Sequence, residues 1–306
     1  MGKFGSNLGY VDEMYARFLA DPASVGEVWR EFFADYKPGA SIPVVPRPSK
    51  VDLPREDESP PDAAVGDDDP GAGAEPIRGI AARIVDNMTT SLEVPTATSV
   101  RTIAVKLLEE NRRVVNDHQA NVAGPRISFT HMIAWAIVRT LERHPGMNVG
   151  FESIDDKPHR RPRPRIHLGL AIDIQRNEQR VLLVPNIKDA AALDFPTFVA
   201  RYDDLVARAR ANQLTIEDFQ DTTVTLTNPG MLGTAMSVPR LMSGQGTILG
   251  VGNIGHPAEY TGMAPDVISA LGISKVMTVT STYDHRVIQG AESGAFLKTL
   301  ETLMLG

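Results

Sequence analysis

Residues 275–304, KVMTVTSTYDHRVIQGAESGAFLKTLETLM, change their periodicity halfway along. The first ten, KVMTVTSTYD, are rich in β-branched and aromatic residues and read as a strand. From Gly290 onward, Phe296, Leu297, Leu300 and Met304 fall at helical spacing and give one apolar face. A strand running straight into a helix points to an α/β arrangement. At the junction sits His285, between Asp284 and Arg286. A titratable group at such a turn can project into a cleft, and an unperturbed pKa of about 6.5 suits it to accept a thiol proton. A lone histidine is more often a core or surface residue, and spacing alone leaves core residue, metal ligand and base all open.

Working outward, further strand patterns occur at 99–105, 166–174 (IHLGLAIDI), 180–187 (RVLLVPNI), 222–228 (TTVTLTN) and 246–254 (GTILGVGNI). Helical patterns occupy 77–92, stopped before Pro95, then KLLEENRRVVNDH, then 130–144, where Ile133, Ala134, Ile137, Val138 and Leu141 are periodic before Pro145. A further helix is read in DFPTFVARYDDLVARARANQL. No internal repeat is present. These elements describe a mixed sheet flanked by helices. GVGNIG, 250–255, matches a dinucleotide fingerprint after a strand, but the fingerprint needs a helix at its third glycine, and HPAEYTGMAPD supplies Pro257, Gly262 and Pro265. It is therefore rejected. Phosphate-binding Walker sequences, GxSxG and HExxH do not occur. HRRPRPR, 159–165, reads as a solvated basic loop.

Residues 38–76 contain nine prolines and no aromatics. Such a composition cannot offset ordering entropy by burial and is expected to be a disordered, semi-extended linker. Ahead of it, Met14, Tyr15, Phe18 and Leu19 share one helical face, and Val25, Val28, Trp29, Phe32 and Phe33 another, with Asp21-Pro22 punctuating the two. Two short helices cannot build a core alone. They are either a docking segment for a partner subunit or a hairpin packed on its own domain. The organisation expected is a helical segment, 1–37, a linker, 38–76, and a catalytic domain, 77–306.

The 306 residues include no cysteine, which excludes disulfide frameworks, thiolate zinc sites and a cysteine nucleophile, and fits a reducing cytoplasm. The start has no apolar signal core, and no run of about 18 apolar residues occurs, so neither export nor a membrane is expected. The net charge of −7 is local: residues 51–76 hold nine acidic residues against one arginine. With aromatics at 6% and no basic stripe, nucleic acid is not an expected partner. No metal site is read; Asp67 to Asp69 are taken as solvated.

YDHRVIQG resembles the DHRxxDG signature that closes the catalytic domain of dihydrolipoamide acyltransferases, the core components of 2-oxoacid dehydrogenase complexes and relatives of chloramphenicol acetyltransferase. TVTLTNPGMLGTAMSVPRLMSGQGTILGVGNI resembles the same family's FTIS/TN stretch and the strand after it, and RISFTHMIAWAIVRTLERHPGMN adds to the match, which covers roughly 77–306. YVDEMYARFLADPASVGEVWREFF is similar to the start of thiamine-dependent 2-oxoglutarate dehydrogenases. Both on one chain resemble the actinobacterial multifunctional 2-oxoglutarate enzymes, which fuse a succinyltransferase domain ahead of the thiamine module.

The resemblance implies a chloramphenicol acetyltransferase-like α/β fold and a dihydrolipoamide succinyltransferase that passes succinyl to coenzyme A. It implies His285 as general base and Thr227, at the family's Ser/Thr position, as donor to the oxyanion. Catalytic His and hydroxyl come from neighbouring subunits of a trimer in that family. Coenzyme A is then a substrate, the lipoyl group comes from a separate lipoyl-domain protein, and thiamine diphosphate with Mg2+ belongs only to a part of the parent protein absent here. Asp284 and Arg286 are expected to form an ion pair that fixes the turn. One departure stands out: Gln289 replaces the second acidic residue of the signature. If that change weakens the site, the domain becomes chiefly an oligomeric scaffold for the thiamine module.

Overall fold

The computed structural model describes residues 8–34, 77, 80–176 and 179–306. The linker expected at 38–76 lies outside the described residues. The strand and helix of the opening stretch are β10 (Val276–Asp284) and α8 (Gly290–Leu305). Around them a six-stranded mixed sheet is built in the order β1 (Thr96–Ala104), β10, β9 (Thr247–Val251), β8 (Val224–Thr227), β4 (Leu168–Leu170) and β7 (Asn186–Ile187). β8 runs parallel to both β4 and β9, and the other pairs are antiparallel.

The two faces of the sheet differ in chemistry. On one, Met277, Val279, Leu249, Val251, Leu226 and Val224 are buried in the core that also holds α8, which contacts β1 and β10 and packs on α5 (Phe129–Arg143). Phe296, Leu297 and Leu300 of α8 and Ile133, Ile137 and Leu141 of α5 are fully buried there, as their periodicity predicts. α5 contacts α4 (Lys106–Asn121) and α6 (Phe195–Ala211) on either side. Removing one such large side chain to alanine costs about 2–5 kcal/mol. The register places Val100, Thr280, Gly250 and Thr227 in one row across the opposite face. The segment between β8 and β9 covers part of it: Thr280 Oγ1 donates to Ser237 O at 2.9 Å and Thr225 Oγ1 to Gln245 Oε1 at 2.8 Å.

That cover explains GVGNIG. A Cβ on Gly250 would lie 2.5 Å from Thr280 Oγ1, and one on Gly252 would lie 1.9 Å from Ala235 O. The glycines admit a neighbouring backbone, and Gly255 bridges to Val276 rather than opening a helix. The next α-helix, α7 (Pro265–Ala270), follows only after a 3-10 turn at Ala258–Tyr260.

Two expected strands are divided. The 166–174 run breaks at Ala171, where the chain leaves the sheet and continues as β5 (Ile172–Arg176), paired with β6 (Gln179–Leu183). The 180–187 run breaks at Val184-Pro185, because proline has no N–H to continue a ladder. HRRPRPR is a strand rather than a loop over its first four residues. β3 (Lys157–Pro162) pairs with β2 (Val149–Ile154) through an Asp155-Asp156 turn at φ 50 and 58, left-handed values that aspartate tolerates. Two of its cations are matched: Arg161 pairs with Glu152 at 2.8 Å and Arg160 with Glu292 at 3.4 Å.

At the N-terminus, α1 (Leu8–Ala20) and α2 (Glu27–Ala34) are joined by a 3-10 turn capped by Asp21. Tyr15, Phe18, Trp29 and Phe32 surround the buried Phe33, the nearest rings at 5.2 Å. Leu19, expected on that face, is 65% exposed, and the side chain of Val28 lies outside the described residues. α1 also packs on α3 (Ile80–Ser91), the helix that leads into β1. The pair therefore recruits a third helix of its own chain, as two short helices must to bury their apolar faces.

Candidate active site

β10 ends at Asp284 and α8 begins at Gly290, which leaves a tight turn carrying His285. The backbone N–H of His285 donates to Pro95 O at 2.9 Å, tying the turn to the entry of β1. The ring lies edge-to-face on Tyr283, centroids 5.5 Å apart, and is exposed. His285 Nδ1 is 3.1 Å from Ile288 O. A carbonyl only accepts, so this contact puts the proton on Nδ1 and leaves the Nε2 lone pair free, the form a general base requires.

Asp284 does not orient the imidazole. It is 2% exposed, and its oxygens receive the Arg286 N–H at 3.1 Å, Nε at 2.9 Å and Nη2 at 2.7 Å. The Arg286 guanidinium also stacks on Phe151, 3.7 Å from the ring centroid. The expected ion pair is present, and with three donors it fixes the geometry of the turn. Gln289 is the N-cap residue of α8, exposed, with its N–H donated to Glu292 Oε2 at 3.0 Å. The Gln289 position serves the helix start, a role an amide can fill.

Thr227 is the last residue of β8 and is half-buried, opposite Gly250. The structure does not bring it to His285 within one chain. Gly250 faces Thr280 on β10, and β10 runs antiparallel to β8 and β9, so His285 lies five residues further, beyond the opposite end of the strands. Two strand spacings across and five residues along correspond to roughly 19 Å. No single carbonyl can touch both.

The other well-fixed histidines serve structure. His131, 3% exposed on α5, accepts from Ser128 N at 3.3 Å through Nδ1 and meets Asp203 Oδ1 at 3.0 Å through Nε2. Burial pushes its pKa below the ordinary 6.5, against an opposing pull from Asp203. His167 Nδ1 accepts from Asp189 N at 2.9 Å; burial first, then Lys188, pushes it down as well. Sequence reasoning did not find Thr130, whose Oγ1 accepts from Asn228 Nδ2 at 3.0 Å beside Thr227. No sequence signal pairs residues so far apart. Among the described residues no group of histidine, aspartate and glutamate could hold a metal ion, and no helix is long and apolar enough to cross a membrane.

Comparison with known proteins adds two family matches: the catalytic domain of 2-oxoacid dehydrogenase acyltransferases over residues 70–305, and the 2-oxoglutarate dehydrogenase N-terminus over 4–40. A multifunctional 2-oxoglutarate metabolism enzyme of Mycolicibacterium vanbaalenii is 43% identical over 99% of this chain and 28% of its own length. A 2-oxoglutarate dehydrogenase E1/E2 component of Corynebacterium glutamicum is 43% identical over 98% of this chain and 27% of its own. The chain thus spans little more than a quarter of these relatives. Among solved structures, the cubic core of a pyruvate dehydrogenase multienzyme complex superposes with a TM-score of 0.64 at 24% identity, covering 80% of this chain and 96% of that one.

Proposed function

The chain belongs to the family of 2-oxoacid dehydrogenase acyltransferase catalytic domains, and we propose that the group it moves is succinyl, carried from S-succinyldihydrolipoyl to coenzyme A. The observation that supports the transfer chemistry is the 3.1 Å contact of His285 Nδ1 with Ile288 O, which turns Nε2 to the role of base. In the reaction, Nε2 takes the proton of the coenzyme A thiol as its sulfur attacks the thioester carbonyl. The C–S bond to coenzyme A forms, and Thr227 Oγ1 donates to the oxyanion. Collapse breaks the C–S bond to dihydrolipoyl, and the departing thiolate recovers the proton from His285. Base catalysis contributes roughly 10²–10⁴ in rate. One oxyanion donor is worth about 3–4 kcal/mol.

Because Thr227 and His285 lie at opposite ends of the β8–β9–β10 ladder, the reading requires His285 of one copy to meet Thr227 of another. We assign a trimer. Support comes from the likeness to a solved core that is itself an assembly. We assign residues 77–306 to transfer, 1–37 to a helical segment of the 2-oxoglutarate dehydrogenase type and 38–76 to the linker. The lipoyl group comes from another protein, and thiamine diphosphate and Mg2+ act in the remainder of the parent, in the cytoplasm. Succinyl is favoured over acetyl because two relatives at 43% identity are named for 2-oxoglutarate.

The test is acyl transfer between coenzyme A and free dihydrolipoamide, comparing succinyl with acetyl. The reading expects His285-dependent turnover with succinyl preferred. Assembly without any such turnover would leave the scaffold reading in its place.

A further inference from the structure

Thr227 closes β8, and the chain beyond it leaves the ladder at once. Asn228 has φ −125 and ψ 73, outside strand geometry, and a 3-10 turn, Pro229–Leu232, follows. Two contacts hold this exit. Gly230 lies against the backbone of Gly252, where a Cβ would fall 2.2 Å from its carbonyl carbon. The Asn228 side-chain amide donates to Thr130 Oγ1 at 3.0 Å.

Thr130 stands on the first turn of α5, and that turn is clamped from both ends. Ser128 is the N-cap; its Oγ accepts from His131 N at 3.1 Å, and its own N–H reaches His131 Nδ1. His131 continues to Asp203 on α6 and packs edge-to-face on Tyr202, centroids 4.5 Å apart. A hydroxyl on so fixed a turn is a rigid acceptor for Asn228. A side chain free to rotate at a strand end, as Thr227 would be without it, loses part of its donor geometry.

We propose that Thr130 is a positioning residue: by accepting from Asn228 it holds the end of β8 so that the Thr227 hydroxyl points at the oxyanion. This rests on the reading of Thr227 as oxyanion donor. Thr130 touches no substrate, so its effect passes entirely through Thr227 and belongs to turnover rather than to binding.

The experiment is a double-mutant cycle in the succinyl exchange assay, on the whole chain, with assembly checked by light scattering. Thr130→Val is expected to lower kcat about tenfold with KM within about twofold, and Thr130→Ser to stay within about twofold of the parent, since a misplaced donor costs rate. Thr130→Val added to Thr227→Val is expected to change nothing further. If Thr130→Val does not fold, Asn228→Leu, which removes the donor, carries the same expectations. An unchanged kcat in Thr130→Val beside a lowered kcat in Thr227→Val overturns the proposal while leaving the oxyanion role intact. Additive losses in the double variant also overturn it. Full kcat in Thr227→Val overturns the oxyanion role itself and the proposal with it.

Discussion

The turn carrying His285 and the strand end carrying Thr227 are built on opposite principles. Around His285 the side-chain partners lie close in sequence: Asp284 with Arg286, His285 with Ile288, Gln289 with Glu292. Around Thr227 they lie far away: Asn228 reaches Thr130 on α5, Thr227 faces Gly250, and Gly230 meets Gly252. The side-chain bonds of the first site form within residues 284–292, and only the His285 N–H to Pro95 O and the Arg286 stack on Phe151 reach outside them. The second exists only when β8, β9 and α5 have packed, so changes in the core reach the donor before they reach the base.

The largest expected effect falls on the local site. His285→Ala should lower transferase turnover by at least about 10² in a folded assembly, as loss of a general base requires; near-parental turnover would remove His285 from the mechanism. Thr227→Val should lower kcat by about 10²–10³ with its shape preserved. A change confined to KM would count against the oxyanion role.

Asp284→Asn tests whether the turn is held locally. It keeps the shape but weakens a buried carboxylate–guanidinium pair of side-chain exposure 3% and 33%. Leaving Arg286 without its partner should lower the melting temperature by several degrees, measured by calorimetry, and kcat only a few-fold. A kcat loss as large as that of His285→Ala would mean Asp284 acts in the chemistry.

Acid should loosen the distant site first. The folded pKa of His131 lies below 6.5 through burial, so the unfolded chain binds its proton more readily. The stability from neutral His131 is complete above 6.5 and is lost as pH falls from there through the folded value; His167 acts with the same sign. His131→Gln should flatten the fall of melting temperature below pH 6.5, and an unchanged slope would show that His131 does not couple folding to pH. The smallest effect is expected from deleting residues 1–76. It strips α1 from α3 and should lower stability, yet exchange activity should persist, because the main contacts of α1 and α2 among the described residues run to each other and to α3.

Legibility follows the same division. The β10–α8 pair, the periodic face of α5 and the His285 turn could be read because period and partner lie within a few residues. Thr227 carried no signal of its own as a strand threonine and emerged only from a family resemblance. The β2–β3 hairpin was hidden because a strand exposed along its whole length, with three arginines or lysines and two prolines, has no apolar alternation. The recruitment of α3 by α1 joins helices far apart in sequence and leaves no local trace. Thr130 and Asn228, 98 residues apart, are the extreme case.

The central claim is that one site takes its base and its oxyanion donor from different copies of the chain. Mixing His285→Ala with Thr227→Val subunits under conditions that exchange them tests it most directly. Each variant alone should be nearly inactive, and random three-membered rings should recover roughly a quarter of the parental sites. Mixed trimers, verified by native mass spectrometry, with no activity beyond the sum of the two variants would contradict the account.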